Sequence, residues 1–360
     1  MMGAAVAAPA PLALAEALRL AIERSPQMAA YDSAITAARD MAVAAPRLPE
    51  PTLQLGVDYL PLARQLSSPL DRKALAERYA READRAAARK TATSVDIARE
   101  TALAWFECHY VEQMTRVAAE QLKFAQVEVE GAEHMYWAGR FTQADFYATR
   151  SMLVSFEDKS SELEHRGRAA RIALERWVGD AGDAPLAALP NIDRILLRSA
   201  ALEGDLARHP EVALLAKQED IAASDVRVAQ ADRRSPPEIA ATLAKRDEAR
   251  AAREEKLRTE VAEMRIRIDE WQHARDRRDR HARQLVPLAR ERTLATLVAY
   301  RGGKTTLTDV LAARRAETEA RMQAVEMERE VARIWVRINF ALPETLPTAS
   351  RASSSEERAQ

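Results

Sequence analysis

Residues Leu70 to Ala138 read LDRKALAERYAREADRAAARKTATSVDIARETALAWFECHYVEQMTRVAAEQLKFAQVEVEGAEHMYWA, 69 positions with no proline and a single glycine, Gly131. Ala, Glu, Arg and Leu dominate the run, and these residues lose little freedom in a helix. At 1.5 Å per residue, a continuous helix over this stretch is roughly 100 Å long. Globular helices average about 11–12 residues, so the stretch predicts a coiled-coil or tunnel element. The run stops at Ala138-Gly139-Arg140, and a second helical stretch leads on to Trp177-Val178-Gly179. The pattern is a long helical hairpin with a tight turn at Gly139.

Upstream, the punctuation predicts a helix from Leu14 to Ala45, nicked at Ser25-Pro26 and stopped before Pro46, Pro49 and Pro51. Thr52 to Leu60 alternates in the β manner and predicts one strand. Downstream, the second half repeats the first. Ser25-Pro26 corresponds to His209-Pro210, so His209 reads as a helix-start residue. Tyr136, Gly139, Thr142, Asp145, Ala148 and Arg150 map without gaps onto Tyr300, Gly303, Thr306, Asp309, Ala312 and Arg314. Such a duplication, carried by Gly, Tyr and Asp rather than Ala alone, predicts one long hairpin per half. The organisation read from these signals is 1–11, a trimmed export signal or a flexible N terminus; 12–185 and 186–344, two helical-hairpin repeats; and 345–360, a disordered tail rich in Ser, Ala and charge. The fold class expected is all-α: duplicated, long antiparallel helical hairpins of coiled-coil type.

The composition agrees. Hydrophobic residues make up 47% but aromatics only 5%, and charged residues reach 30%. With 54 basic against 55 acidic residues the net charge is −1, so no global field favours nucleic acid or an anionic surface. The densest basic run, Ala274 to Arg283, is interleaved with Asp276 and Asp279 and lacks aromatics, which reads as a solvated helix face. A single cysteine, Cys108, permits no disulfide within the chain and no multi-thiolate metal site. Six scattered histidines include no pair at i, i+4, so neither a metal site nor a cofactor is expected. Gly302-Gly303-Lys304-Thr305-Thr306 imitates a phosphate loop, but the pattern needs glycine where Val298 stands and a preceding strand. No local spacing offers a catalytic constellation, and no enzyme is expected. Trp105, Phe106, Trp177, Trp335 and Phe340 read as packing residues at helix crossings and ends.

Leu12 to Leu18, Ser25-Pro26, Arg47 to Leu53, Tyr136 to Arg140, Thr308 to Arg314 and Arg337 to Glu344 together resemble the TolC-type outer-membrane efflux proteins, and among them the channel subunits of heavy-metal resistance-nodulation-division pumps. The resemblance implies a homotrimer whose helices form a periplasmic tunnel below a membrane barrel. It implies a periplasmic adaptor and an inner-membrane pump as partners, and a place at the outer membrane and periplasm. The barrel hairpins are where the sequence departs from the family. A membrane-spanning strand needs about 9–11 residues, yet only Arg233 to Pro237 separates two helical runs in the second half. The alternative is a soluble, barrel-less helical protein derived or engineered from that family.

At the turns, glycine allows the backbone a helix reversal needs. Thr142 and Thr306 stand three residues before Asp145 and Asp309, the spacing of a capping box. By resemblance, Gly139, Arg140, Thr142, Gly303, Lys304 and Thr306 form the periplasmic tips that dock the adaptor. Asp145, Tyr300 and Asp309 match positions that constrict the aperture, with Arg140 and Lys304 as nearby cations.

Overall fold

The computed structural model describes residues 10–45, 69–197, 201–231 and 234–343. Among them the helices are α1 Leu14–Arg24, α2 Pro26–Ala44, α3 Pro69–Trp137, α4 Gln143–Val178, α5 Leu202–Leu206, α6 Pro210–Ala231, α7 Pro236–Arg280, α8 Val286–Arg301 and α9 Leu307–Asn339. The one strand-like pairing among the described residues is an isolated parallel bridge between Leu12 and Leu186. The all-α class therefore holds. The strand expected at Thr52–Leu60 and the tail lie outside the described residues.

Local chemistry explains the breaks. Ser25 is extended (φ −71°, ψ 117°) and Pro26 opens α2, since proline's missing N–H costs nothing in a first turn. Between α7 and α8 a five-residue π turn, His281–Leu285, widens the helix. Pro287 follows it, and proline has no amide for the carbonyl four residues back. Val286 instead donates to His281 O, five residues back. The junction from α6 to α7 occupies only positions 232–235, and Ser235 closes it by donating from N and Oγ to Glu238 Oε2 at 2.9 and 2.6 Å.

The chain folds as two compact units, each drawing on both halves of the sequence. Among the described residues the first comprises Arg99–Leu196 and Ile266–Ile338 with 10–21. In it α4 and α9 lie against α3, and the carboxylates come from α3 while the guanidiniums come from its neighbours. Arg166 of α4 and Arg329 of α9 both reach Glu107, each at 2.8 Å. Burial opposes the Glu107 charge, but the two guanidiniums outweigh it and hold the carboxyl below its ordinary range. Arg171 pairs with Glu112 and also donates to the carbonyls of Gly182 and Ala184 at 2.7 and 2.8 Å. Nearer the reversals, Arg321 meets Glu120 and Arg314 meets Glu128, again at 2.8 Å. Met114, Ala118 and Leu163 form an apolar cluster, with Met322 and Val325 packed on it.

Away from the reversals, three indoles tie long helices to the segments that lead into each half. Trp105 Nε1 donates to Leu12 O at 3.0 Å, Trp271 Nε1 to Ile192 O at 3.3 Å, and Trp335 Nε1 to Arg194 O at 2.7 Å. Trp105 and Phe106 are fully buried and meet edge to face at 5.3 Å. Cys108 is buried beside them, and burial pushes its thiol up to about 12, so it is a packing residue and not a nucleophile. Part of the basic run is not a solvated face. Arg275 and Arg278 both pair with Asp193, at 3.2 and 2.8 Å, and Arg275 covers the Trp271 ring at 4.6 Å.

Among the described residues the second unit comprises 22–45, 69–98, Leu197, 201–231, 234–265 and 339–343. Lys90 joins α3 to Asp32 of α2 at 2.5 Å, and Arg227 of α6 reaches Glu77 of α3 at 2.9 Å. Lys256 of α7 bridges Glu211 and the buried Glu260, next to His209 at the start of α6.

Candidate functional site: the paired helix reversals

The two reversals are built alike. Gly139 and Gly303 have φ of 69° and 70°, the left-handed region where a side chain is costly. Gly139 N donates to Tyr136 O and Arg140 N to Met135 O, both at 2.9 Å. Gly303 N donates to Tyr300 O and Lys304 N to Ala299 O, at the same distance. Each pair is a Schellman motif, which satisfies the orphan carbonyls of a helix end. The next helix then starts on a capping box. Thr142 N and Oγ1 donate to Asp145 Oδ2 at 3.3 and 2.6 Å, and Asp145 N donates back to Thr142 Oγ1 at 3.2 Å. Thr306 and Asp309 repeat this at 3.0, 2.7 and 3.2 Å.

One substitution separates the two boxes electrostatically. The second reversal has Thr305 where the first has Phe141, and Thr305 Oγ1 adds a 2.5 Å bond to Asp309 Oδ2. This bond, followed by those from the Thr306 hydroxyl and amide, holds the Asp309 carboxyl down to about 2. The phosphate-loop imitation at Gly302–Thr306 is this same cap, preceded by helix α8 and not by a strand.

The structure brings the reversals together: Tyr300 Oη lies 3.5 Å from Met135 Sδ. It does not pair the carboxylates with the nearby cations. Asp145 and Asp309 turn back onto their own helix starts, and Arg140, Arg301 and Lys304 make no ion pair among the described residues. The sequence reading also passed over an aromatic ladder on the first reversal. Tyr136 stacks on Phe146 at 5.3 Å, Trp137 and Tyr147 flank them at 5.6 Å, and Trp137 is 77% exposed. The duplicated alignment carried the signal, since Phe146 and Tyr147 correspond to Val310 and Leu311, which are buried in the second reversal. Among the described residues no three His, Cys, Asp or Glu side chains converge as metal ligands. The reversals thus offer exposed cations and aromatic surface.

No protein-family profile matches the sequence, and no curated protein is similar to it. Solved structures do match its fold. The outer-membrane channel OprN aligns over 93% of this chain and 91% of its own, at 15% identity and a TM-score of 0.75. The Campylobacter jejuni CmeC outer membrane channel aligns over 96% and 88%, at 12% identity and 0.76. The outer membrane protein VceC from Vibrio cholerae aligns over 92% and 95%, at 16% identity and 0.71. The fold is that of TolC-type outer-membrane efflux channels, seen here in its helical part. Among the described residues no helix is long and apolar enough to cross a membrane.

Proposed function

We propose that this chain is a subunit of an outer-membrane efflux channel and supplies its periplasmic helical tunnel. Three copies stand side by side, and solute passes through them from an inner-membrane pump of the resistance-nodulation-division type. The observation that carries the reading is the pair of like-built reversals, set side by side by Tyr300 and Met135 in a chain with the channel fold. Residues 12–185 and 186–344 are the duplicated halves, each supplying one hairpin. Gly139, Arg140, Thr142, Gly303, Lys304 and Thr306 face the periplasmic adaptor. Asp145, Tyr300 and Asp309 line the constriction, where the capped carboxylates act as fixed negative charge. A ring of such carboxylates favours cations, and a metal ion is one such cargo; transit requires no tight site.

Cross-linking tests the assembly at the tips. Arg140→Cys, treated with a short three-armed maleimide, should give covalent species of two and three copies and none larger. The buried Cys108 does not compete. Monomer alone, from protein purified with and without detergent, would count against the tunnel.

A second reading has its own observation. The four positions 232–235 between α6 and α7 are too few for a membrane strand of about 9–11 residues. On that reading the protein is a soluble helical bundle without a barrel. Cell fractionation separates the two: salt-resistant recovery with the outer membrane supports the channel, and recovery in the soluble periplasm supports the bundle.

A further inference from the structure

The near-zero charge of the whole chain hides two hairpins of opposite sign. Within 25 positions of Gly139, residues 114–164 hold nine acidic and five basic side chains, a net of −4. Within 25 positions of Gly303, residues 278–328 hold seven acidic and ten basic ones, a net of +3. Part of this cancels inside the chain, where Glu120 meets Arg321 and Glu128 meets Arg314.

Much of the remainder stands on the outer faces of α4 and α8. Glu157, Asp158 and Glu164 of α4 are exposed and make no ion pair among the described residues. Their neighbouring cations are engaged, Arg150 over the Phe146 ring at 5.8 Å and Lys159 with Glu162 at 2.7 Å. Helix α8 sets one carboxylate, Glu291, against Arg290, Arg292 and Arg301, all exposed and likewise without an ion pair. Both faces also leave large apolar side chains in solvent: Tyr147 and Val154 on α4, Leu288 and Leu294 on α8.

The heights of these groups match. Helix α4 runs away from its reversal and α8 runs toward its own, so the two are antiparallel in copies standing side by side. Val154 lies 15 positions past Gly139, and Leu288 lies 15 positions before Gly303. Tyr147 lies 8 past and Leu294 lies 9 before. At 1.5 Å per residue, the first pair sits about 22 Å from the reversals and the second about 12 Å. Asp158, 19 positions past Gly139, falls between Arg290 and Arg280, which lie 13 and 23 positions before Gly303.

We infer that copies of this chain join head to tail, the α4 face of one seated on the α8 face of the next. The inference rests on the channel reading, which puts the reversals of all copies at one level. A joint of α4 on α4 sets carboxylate against carboxylate, and one of α8 on α8 sets guanidinium against guanidinium. Like charges across an interface are costly, so the charge selects the unlike pairing. A head-to-tail contact of this kind generates a ring when its rotation closes.

Cross-linking on the full chain tests the seam. Val154→Cys and Leu288→Cys chains, one lengthened by a tag so that the products differ in mass, are assembled together and treated with a short bismaleimide. The expected product is a mixed dimer of the two variants, with neither variant joined to itself. Glu157→Lys together with Asp158→Lys should raise the dissociation constant of the assembly about tenfold. Adding Arg280→Glu and Arg290→Glu should restore it. Helical circular dichroism of the variants should match the parent, which separates lost assembly from lost folding. A trimeric parent whose cysteine variants give only like dimers or no product overturns the seam and leaves the channel reading standing. So does an assembly indifferent to the charge reversals. A parent that stays monomeric overturns both.

Discussion

The first unit is held together differently at its two ends. At the reversals, apart from the contact of Tyr300 with Met135 that joins them, the stabilising bonds are local: the Schellman bonds, the capping boxes and the glycine φ angles all lie within about ten residues of Gly139 or Gly303. At the packed end, around Trp105 and Phe106, the bonds join residues 59 to 222 positions apart. Local bonds fix a shape that solvent can reach. Distant ones build a core that excludes it. The difference teaches where stability resides and where a partner can bind without disturbing it.

Five substitutions probe that contrast, from the largest expected effect down. Trp105→Ala removes a fully buried indole and its bond to Leu12 O, and should cost about 3–5 kcal/mol in chemical denaturation. Glu107→Gln should come next. It leaves the half-buried Arg166 and the more deeply buried Arg329 without their shared charge, for a loss of about 2 kcal/mol, below the range for a fully buried pair. The same variant tests the pH dependence. Glu107 has a lowered carboxyl in the folded state, so its stabilisation is present above the unfolded-state value and lost as pH falls through the lower folded one. The parent should therefore lose stability in acid more steeply than Glu107→Gln.

At the reversals the effects should be small and nearly equal. Gly139→Ala and Gly303→Ala each force a side chain into the left-handed region, at about 1 kcal/mol. A difference of several kcal/mol between them would mean that one reversal is anchored by more than its own backbone. The smallest change is electrostatic. Thr305→Ala should raise the Asp309 titration midpoint from about 2 toward the ordinary carboxylate value, read by NMR of the side-chain carboxyl.

The same local-against-distant division governs what could be read from the sequence. The ends of α3 and α4, the break at Ser25-Pro26 and both capping boxes were legible, because proline, glycine and the Thr-x-x-Asp spacing act on their immediate neighbours. The π turn at His281–Leu285 was not, although Pro287 marks it. Trp271, whose indole anchors the second half as Trp105 anchors the first, carried no local signal. The pairing of Arg275 and Arg278 with Asp193 corrected the solvated-face reading for these two residues for a similar reason, since that partner lies 82 and 85 positions away. At the site, the turn residues were legible. That Asp145 and Asp309 leave the nearby cations unpaired was not, because each carboxylate satisfies its own helix start before it can meet a cation.

The central claim is that two like-built reversals mark the tips of a three-copy tunnel. Light scattering on the chromatographically purified full chain tests it most directly. The account predicts a species of three times the chain's own mass that persists on dilution. A single species of one chain mass across the concentration range would contradict it.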